Sequence, residues 1–230
     1  MSFEAPRHRL LIAIDGPSGA GKGSVSRAVA EALGYRHVDT GAMYRAVAWK
    51  ALARGVPLDD ETAMAALARE ASIDLAGAHV TIDDVDITTA IRTPEVDRAA
   101  AAVARMPGVR AALVSRQRAL ARSGAIVMEG RDIGTVVLPD ADLKIYLDAS
   151  PEERARRRAA DPAHGGGSRP LQTVATALAD RDRLDQTRTA SPLTMAPDAM
   201  LVDTTGVPLA EVVERVMALV REVARRRPSR

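Results

Sequence analysis

The sequence predicts an α/β fold of three layers, with helices on both faces of a parallel sheet. Short runs of branched apolar residues recur, and each opens at its carboxyl end into a polar loop. Between them lie stretches whose apolar residues return at helical spacing. The alternation breaks once, near the middle of the 230-residue chain, where the segments become short and rich in turn residues.

The first strand is read at Leu10 to Ile14, a buried run followed at once by a glycine-rich loop. From Gly23 or Ser24 to Leu33 the residues Val25, Ala28, Val29, Ala32 and Leu33 mark a helix, stopped by Gly34. His37 and Val38 lead a second strand into Asp39-Thr40-Gly41. A helix from about Ala42 to Arg54 follows, ended by Gly55 and Pro57, with Trp49 in its core face. Ser72 to Leu75, His79 to Ile82 and Val85 to Ile87 form a small antiparallel patch with Ala-Gly and Asp-Asp turns. Thr93-Pro94 and Pro107 each open a helix, the second running to about Arg122. Ala125 to Glu129 and Leu143 to Leu147 are further buried strands. Ser150-Pro151-Glu152-Glu153 starts a helix with hydroxyl cap, proline and returning glutamate. Gly165-Gly166-Gly167 marks a mobile loop or short lid. Helical sequence resumes from about Leu171 to Arg188. Ala199 to Val202 is the last strand and Leu209 to Val223 a closing amphipathic helix.

A hydrophobic fraction of 47% with 27% charged residues supports a packed globular unit and excludes intrinsic disorder. The chain holds no cysteine, so disulfides, thiolate metal sites and a cysteine nucleophile are excluded. His8, His37, His79 and His164 have no zinc-like spacing. No apolar run approaches bilayer length, the apolar stretch behind MSFEAPRHR is too short for a leader, and a cytoplasmic address is expected. A net charge of +2 gives no general support for nucleic-acid binding. The arginines at 221, 225, 226 and 227 read as a solvated helix end rather than an RNA contact.

The loop Gly16-Pro17-Ser18-Gly19-Ala20-Gly21-Lys22-Gly23-Ser24 matches the phosphate-binding pattern G-x-x-x-x-G-K, with glycine where Ser or Thr usually follows. Glycines let successive N–H groups converge on one point, and the amino end of the following helix adds partial positive charge there. Lys22 is one of only three lysines, with Lys50 and Lys144, among 32 basic residues, so its position is not a compositional accident. It is expected to reach the β- and γ-phosphates of a nucleoside triphosphate. Ser24 lies one position beyond the usual magnesium hydroxyl and could bind metal, hold a metal-bound water or cap the helix.

Later loops concentrate arginine beside acid: Asp39 to Arg45, Arg110, Arg131-Asp132 and Arg181-x-x-x-Asp185-x-x-Arg188. Several guanidiniums in one cleft suit two phosphate-bearing substrates whose reacting oxygens repel. A phosphotransferase is the reading, and the rival is a kinase for another nucleoside monophosphate or a small metabolite.

The strings IDGPSGAGKG at 14–23, DTGAMYR at 39–45, IRTPEV at 91–96, RQRAL at 116–120, EGRDIGTVV at 129–137, PDADLKIYLDAS at 139–150 and RDRLDQTR at 181–188 resemble the bacterial cytidylate kinase family from about Leu10 to Val223. The resemblance implies a three-layer P-loop fold: a core of residues 1–72 and 111–230, an inserted monophosphate-binding subdomain at 73–110 and a lid near 154–170. It implies ATP-dependent phosphorylation of CMP and dCMP with Mg²⁺, by a monomer. Gly16 through Ser24 with Arg157 and Arg158, or Arg154, would hold the donor. Thr40, Tyr44 and Arg45 would line the acceptor site, Arg110 and Asp132 would meet cytosine, and Arg181 and Asp185 the ribose. Arg131 and Arg188 would hold phosphate and, with Lys22 and Arg45, carry catalysis. Glu129 and Ser24 would face the metal. Two positions depart from a relative's pattern: Ala101 stands where that relative has a base-contacting serine, and Glu129 where it has aspartate.

Overall fold

The computed structural model describes residues 9–162, 167 and 170–226. Five parallel strands form the main sheet: β1 (Leu11–Asp15), β2 (Arg36–Asp39), β6 (Ile126–Gly130), β7 (Leu143–Asp148) and β8 (Met200–Asp203), in the order β2-β6-β1-β7-β8. β1 lies at the centre because its residues are apolar on both faces, with Ile12, Ala13 and Ile14 fully buried.

Strand alternation divides the core in two. Ile12, Ile14, Val127, Ile145 and Leu147 face α1 (Lys22–Leu33) and α8 (Leu209–Arg226). Ala13, Val38, Ile126 and Met128 face α2 (Thr40–Arg54) and α5 (Pro107–Ala121). The α8 seam of Val212, Val216, Met217 and Val220 is buried. At about 1.5–3 kcal/mol per fully buried side chain, this seam outweighs the arginines at the helix end as the reason the helix docks.

Between α2 and β6 the chain adds α3 (Glu61–Glu70), the antiparallel strands β3 (Ile73–Ala76), β4 (His79–Ile82) and β5 (Val85–Asp86), then α4 (Pro94–Val103). Asp83 and Asp84 both take positive φ, 50° and 64°, as a two-residue hairpin turn requires. Leu75, Val80, Ile82, Ile91 and Val96 belong to the same apolar cluster as α2 and β6, so this segment packs on the core without a separate interior. α3 is not among the elements the sequence pattern predicts.

The caps follow the sequence closely. Asp39 accepts from Ala42 N at the start of α2, Thr93 from Val96 N at α4, and Ser150 from Glu153 N at α6 (Pro151–Ala160). α7 (Leu171–Thr187) follows α6. Gly165 and Gly166 of the expected lid, His8, His164 and Arg227 lie outside the described residues. Trp49 is half-buried against the core rather than enclosed by it. No described helix is long and apolar enough to cross a membrane.

Candidate active site

All five parallel strands release their loops at one end of the sheet, and there a cleft of about 670 Å³ opens. Its walls include Ser18 through Ser24, Thr40, Tyr44, Arg45, Arg110, Glu129, Arg131, Asp132, Arg157, Arg158, Arg181, Asp185 and Arg188. The predicted site residues are therefore gathered in one place, except Gly16 and Pro17, which lie buried behind the wall, and Arg154. Gly16 shapes the loop: a Cβ there would come within 2.0 Å of the Leu147 carbonyl oxygen, and its φ is +147°.

The loop turns into α1 through Gly21, whose φ of 88° only glycine adopts readily. Gly21 is the cap residue and no side chain caps this helix, so Ser24 does not cap it. Ser24 sits exposed in the first turn, facing the cleft. Lys22 is buried and its Nζ donates to the Pro17 carbonyl at 2.7 Å. Burial, then the nearby charge of Arg131, lowers its pKa to about 7.

Arg154 is not on the cleft wall. It is buried and donates to the Ser18 and Ala149 carbonyls and to Asp182, bracing the loop from behind. Arg158 donates to Ser18 Oγ at 2.9 Å and Arg157 to Thr204 Oγ1 at 2.9 Å, both on the wall.

At the other end, Arg110 and Asp132 form a buried ion pair. Arg110 Nη1 also donates to Tyr44 Oη at 3.2 Å, and its guanidinium lies 5.9 Å from the Tyr44 ring centre. Burial pushes the Tyr44 hydroxyl up to about 12. Arg188 Nη2 lies 3.5 Å from Asp132 Oδ1. Thr40 points its hydroxyl into the protein, donating to the Glu129 carbonyl at 2.7 Å.

Between the two ends stand Arg45, held by Asp39 at 2.7 Å, Arg131, held by Asp185 at 2.8 Å, and Arg181, 3.5 Å from Asp97. Among the described residues, Arg45 Nε, Arg181 Nε and Arg188 Nη2 are buried with no hydrogen-bond partner. Buried donors are almost always satisfied, so the guanidiniums of these three cleft-lining residues have donor capacity left over for acceptors. Phosphate oxygens have that chemistry.

Three residues of the site were missed by sequence reasoning. Arg92, inside the IRTPEV string, lines the cleft. Asp15 ends β1 and accepts from the Ile133 and Gly134 N–H groups at 2.8 and 2.7 Å, which shapes a single turn of π-helix, Ile133–Val137, directly after Asp132. Burial raises its pKa to about 6 against those two hydrogen bonds. His37, set aside above, sits half-buried on β2, its side chain largely enclosed, with Nε2 2.8 Å from Glu129 Oε1. Asp15 carries the one legible signal of the three, an acid ending a buried apolar run.

Among the described residues no three acid or histidine side chains converge as a self-sufficient metal cage. The chemistry of Glu129 and Ser24 nonetheless fits Mg²⁺, which is held by one or two carboxylates together with substrate phosphates and water.

Comparison with known proteins agrees with this geometry. The structure matches a gluconokinase from Sinorhizobium meliloti 1021 with a TM-score of 0.51 at 18% identity over 95% of each chain, a likeness of fold. In sequence, the chain is 50% identical over 216 residues to a cytidylate kinase of Desulfitobacterium hafniense (strain Y51), covering 93% of both. It is 49% identical over 220 residues to a cytidylate kinase of Geobacillus kaustophilus (strain HTA426), covering 94% of this chain and 98% of that one. The family model described as Cytidylate kinase matches residues 12–222, nearly the whole chain, and the protein belongs to the cytidylate kinase family.

Proposed function

We propose that the enzyme transfers the γ-phosphoryl group of ATP to CMP and dCMP, giving the diphosphates, and that it does so as a monomer. The observation that carries this reading is the buried Arg110–Asp132 pair at one end of the cleft, with the glycine loop at the other and unsatisfied arginine nitrogens between them.

Cytosine offers an amine donor at N4 and acceptors at N3 and O2. Asp132 accepts from the amine and Arg110 donates to the ring. Uracil puts an oxygen beside the carboxylate and an N–H beside the guanidinium, so UMP is disfavoured by unpaired groups. Ala101 lines the cleft and offers no hydrogen bond, which leaves recognition to Arg110 and Asp132. Arg181 and Asp185 hold the ribose, with Thr40 and Tyr44 shaping the acceptor wall.

The acceptor is already a phosphate anion, so no general base is needed, and the work is alignment and charge neutralisation. Arg45, Arg131 and Arg188 hold the acceptor phosphate and offset its repulsion with the donor. Residues Ser18 to Ser24 cradle the donor through backbone N–H groups, with Arg157 and Arg158 closing over it. Lys22 turns from the Pro17 carbonyl to the phosphates, where its charge follows the transferred group. Glu129 and Ser24 would hold Mg²⁺, which would supply Lewis-acid neutralisation of the donor's negative charge. Residues 73–110 act as the acceptor-binding unit and 154–170 as the lid, which together exclude water from the transfer.

Steady-state kinetics with CMP, dCMP, UMP and AMP, ATP and Mg²⁺ tests the assignment. CMP and dCMP should give the highest kcat/KM. Faster turnover of UMP or AMP would overturn the cytosine reading.

A further inference from the structure

Glutamate has three rotatable side-chain bonds, so a carboxylate that must face one ion needs a second group to fix it. Glu129 is gripped twice. Its carbonyl takes the Thr40 hydroxyl, and its Oε1 lies 2.8 Å from His37 Nε2. A carboxylate can only accept, so the imidazole donates through Nε2–H.

The contact is dictated by sheet register. Asp39 pairs with Glu129 and His37 with Val127, so His37 and Glu129 are diagonal neighbours on one face of the sheet. That face is the one α1 covers, since Val127 packs with Val25 and Val29. The carboxylate therefore lies beneath Gly23, where a Cβ would stand 3.5 Å from Oε1 and 3.8 Å from Oε2. The histidine side chain is 8% exposed and the glutamate side chain 7%, so little water competes for the bond. With Oε1 committed to His37, Glu129 still lines the cleft that Ser24 also faces.

We propose that His37 is a positioning residue that fixes the Glu129 carboxylate in the orientation from which it serves Mg²⁺·ATP. The inference rests on the reading of Glu129 as the metal-side carboxylate. His37 does not line the cleft, so its effect on the site would run through Glu129.

The test compares binding of ATP with Mg²⁺ and of ATP in EDTA by calorimetry, in the absence of acceptor. In His37→Phe the gain in affinity that Mg²⁺ confers should fall roughly 10-fold, while binding of metal-free ATP stays unchanged. His37→Gln, whose amide carries a donor near the position of Nε2, should restore most of the gain. His37→Asn, too short to reach, should not restore it, and it stands in for the phenylalanine variant should that one fail to fold. Glu129→Gln should lose the gain as well, and the double variant should be no worse than Glu129→Gln alone. If Glu129→Gln loses the gain and His37→Phe keeps it, the role of His37 is overturned. If Glu129→Gln itself keeps the gain, the metal reading of Glu129 falls instead. Equal weakening of metal-free ATP binding in His37→Phe would mark a purely structural contact and overturn the proposal.

Discussion

Asp185 on α7 accepts from Arg131 Nε at 2.8 Å, so the acid assigned to the ribose and the arginine assigned to phosphate are bonded to each other. Both side chains are largely enclosed, and the bond joins the end of β6 to α7.

Asp185→Asn keeps an acceptor for Arg131 but lacks the charge. Losing a charge-assisted hydrogen bond costs about 1.5–3 kcal/mol, so the KM for CMP should rise by about 10-fold or more with KM for ATP nearly unchanged. Equal rises in both constants would show that Asp185 supports the cleft as a whole rather than the acceptor side.

Lys22 is expected to trade stability for function. Its lowered pKa means that the folded protein disfavours its charge, chiefly through burial and then through Arg131. Lys22→Met keeps the stem and drops the charge. Turnover should fall about 10²–10³-fold, the cost of removing a preorganised charge from a transition state, while thermal stability stays the same or rises. A fall in stability alongside turnover would make the lysine a structural element of the loop.

The fold was legible because strands such as β1 and β7 are short, largely apolar runs ending in an acid, and because caps such as Thr93 and Ser150 are local chemistry. The loop from Gly16 to Ser24 and the arginines were legible for the same reason: their meaning lies within a few residues of sequence. What was missed is made by pairing across the sheet. His37 and Glu129 stand 92 positions apart and meet only because β2 lies beside β6. Asp15 reaches Ile133 and Gly134 across 118 and 119 positions. The placement of Arg154 behind the loop depends likewise on its partner Asp182. α3 is a different omission. Asp60 and the apolar spacing of Met64, Ala65, Leu67 and Ala68 were a local signal, overlooked beside the stronger helices around it.

Asp15 should give a pH signature in stability. Its pKa is raised in the folded protein, so the native state binds the proton more tightly than the unfolded chain. The stabilising contribution is full below the unfolded value of 3.8 and is lost as pH rises through about 6. The loss amounts to about 3 kcal/mol, at 1.36 kcal/mol per pH unit. Asp15→Asn cannot titrate, so the difference in unfolding free energy between the parent and this variant should shift against the parent by about 2 kcal/mol, most of that loss, between pH 4 and about 6.5. Denaturant unfolding at both pH values measures it, and a constant difference would mean that Asp15 titrates normally.

Asp132 separates base recognition from structure most sharply, because it is buried between Arg110 and Arg188. Asp132→Ala leaves two buried guanidiniums without their carboxylate and should destabilise the protein by about 3–5 kcal/mol. Asp132→Asn keeps the shape and one acceptor, and its amide can face either pyrimidine edge. It should lower kcat/KM for CMP about 10–100-fold, the worth of a charged hydrogen bond, while UMP loses little, so that the preference between them narrows. ATP binding, at the far end of the cleft, should be unaffected. If the asparagine variant loses CMP and UMP activity in equal proportion and unfolds at a lower temperature, Asp132 is a counter-ion for the arginines and the base is read elsewhere. An unchanged stability with a narrowed preference would fix the cytosine amine on this carboxylate.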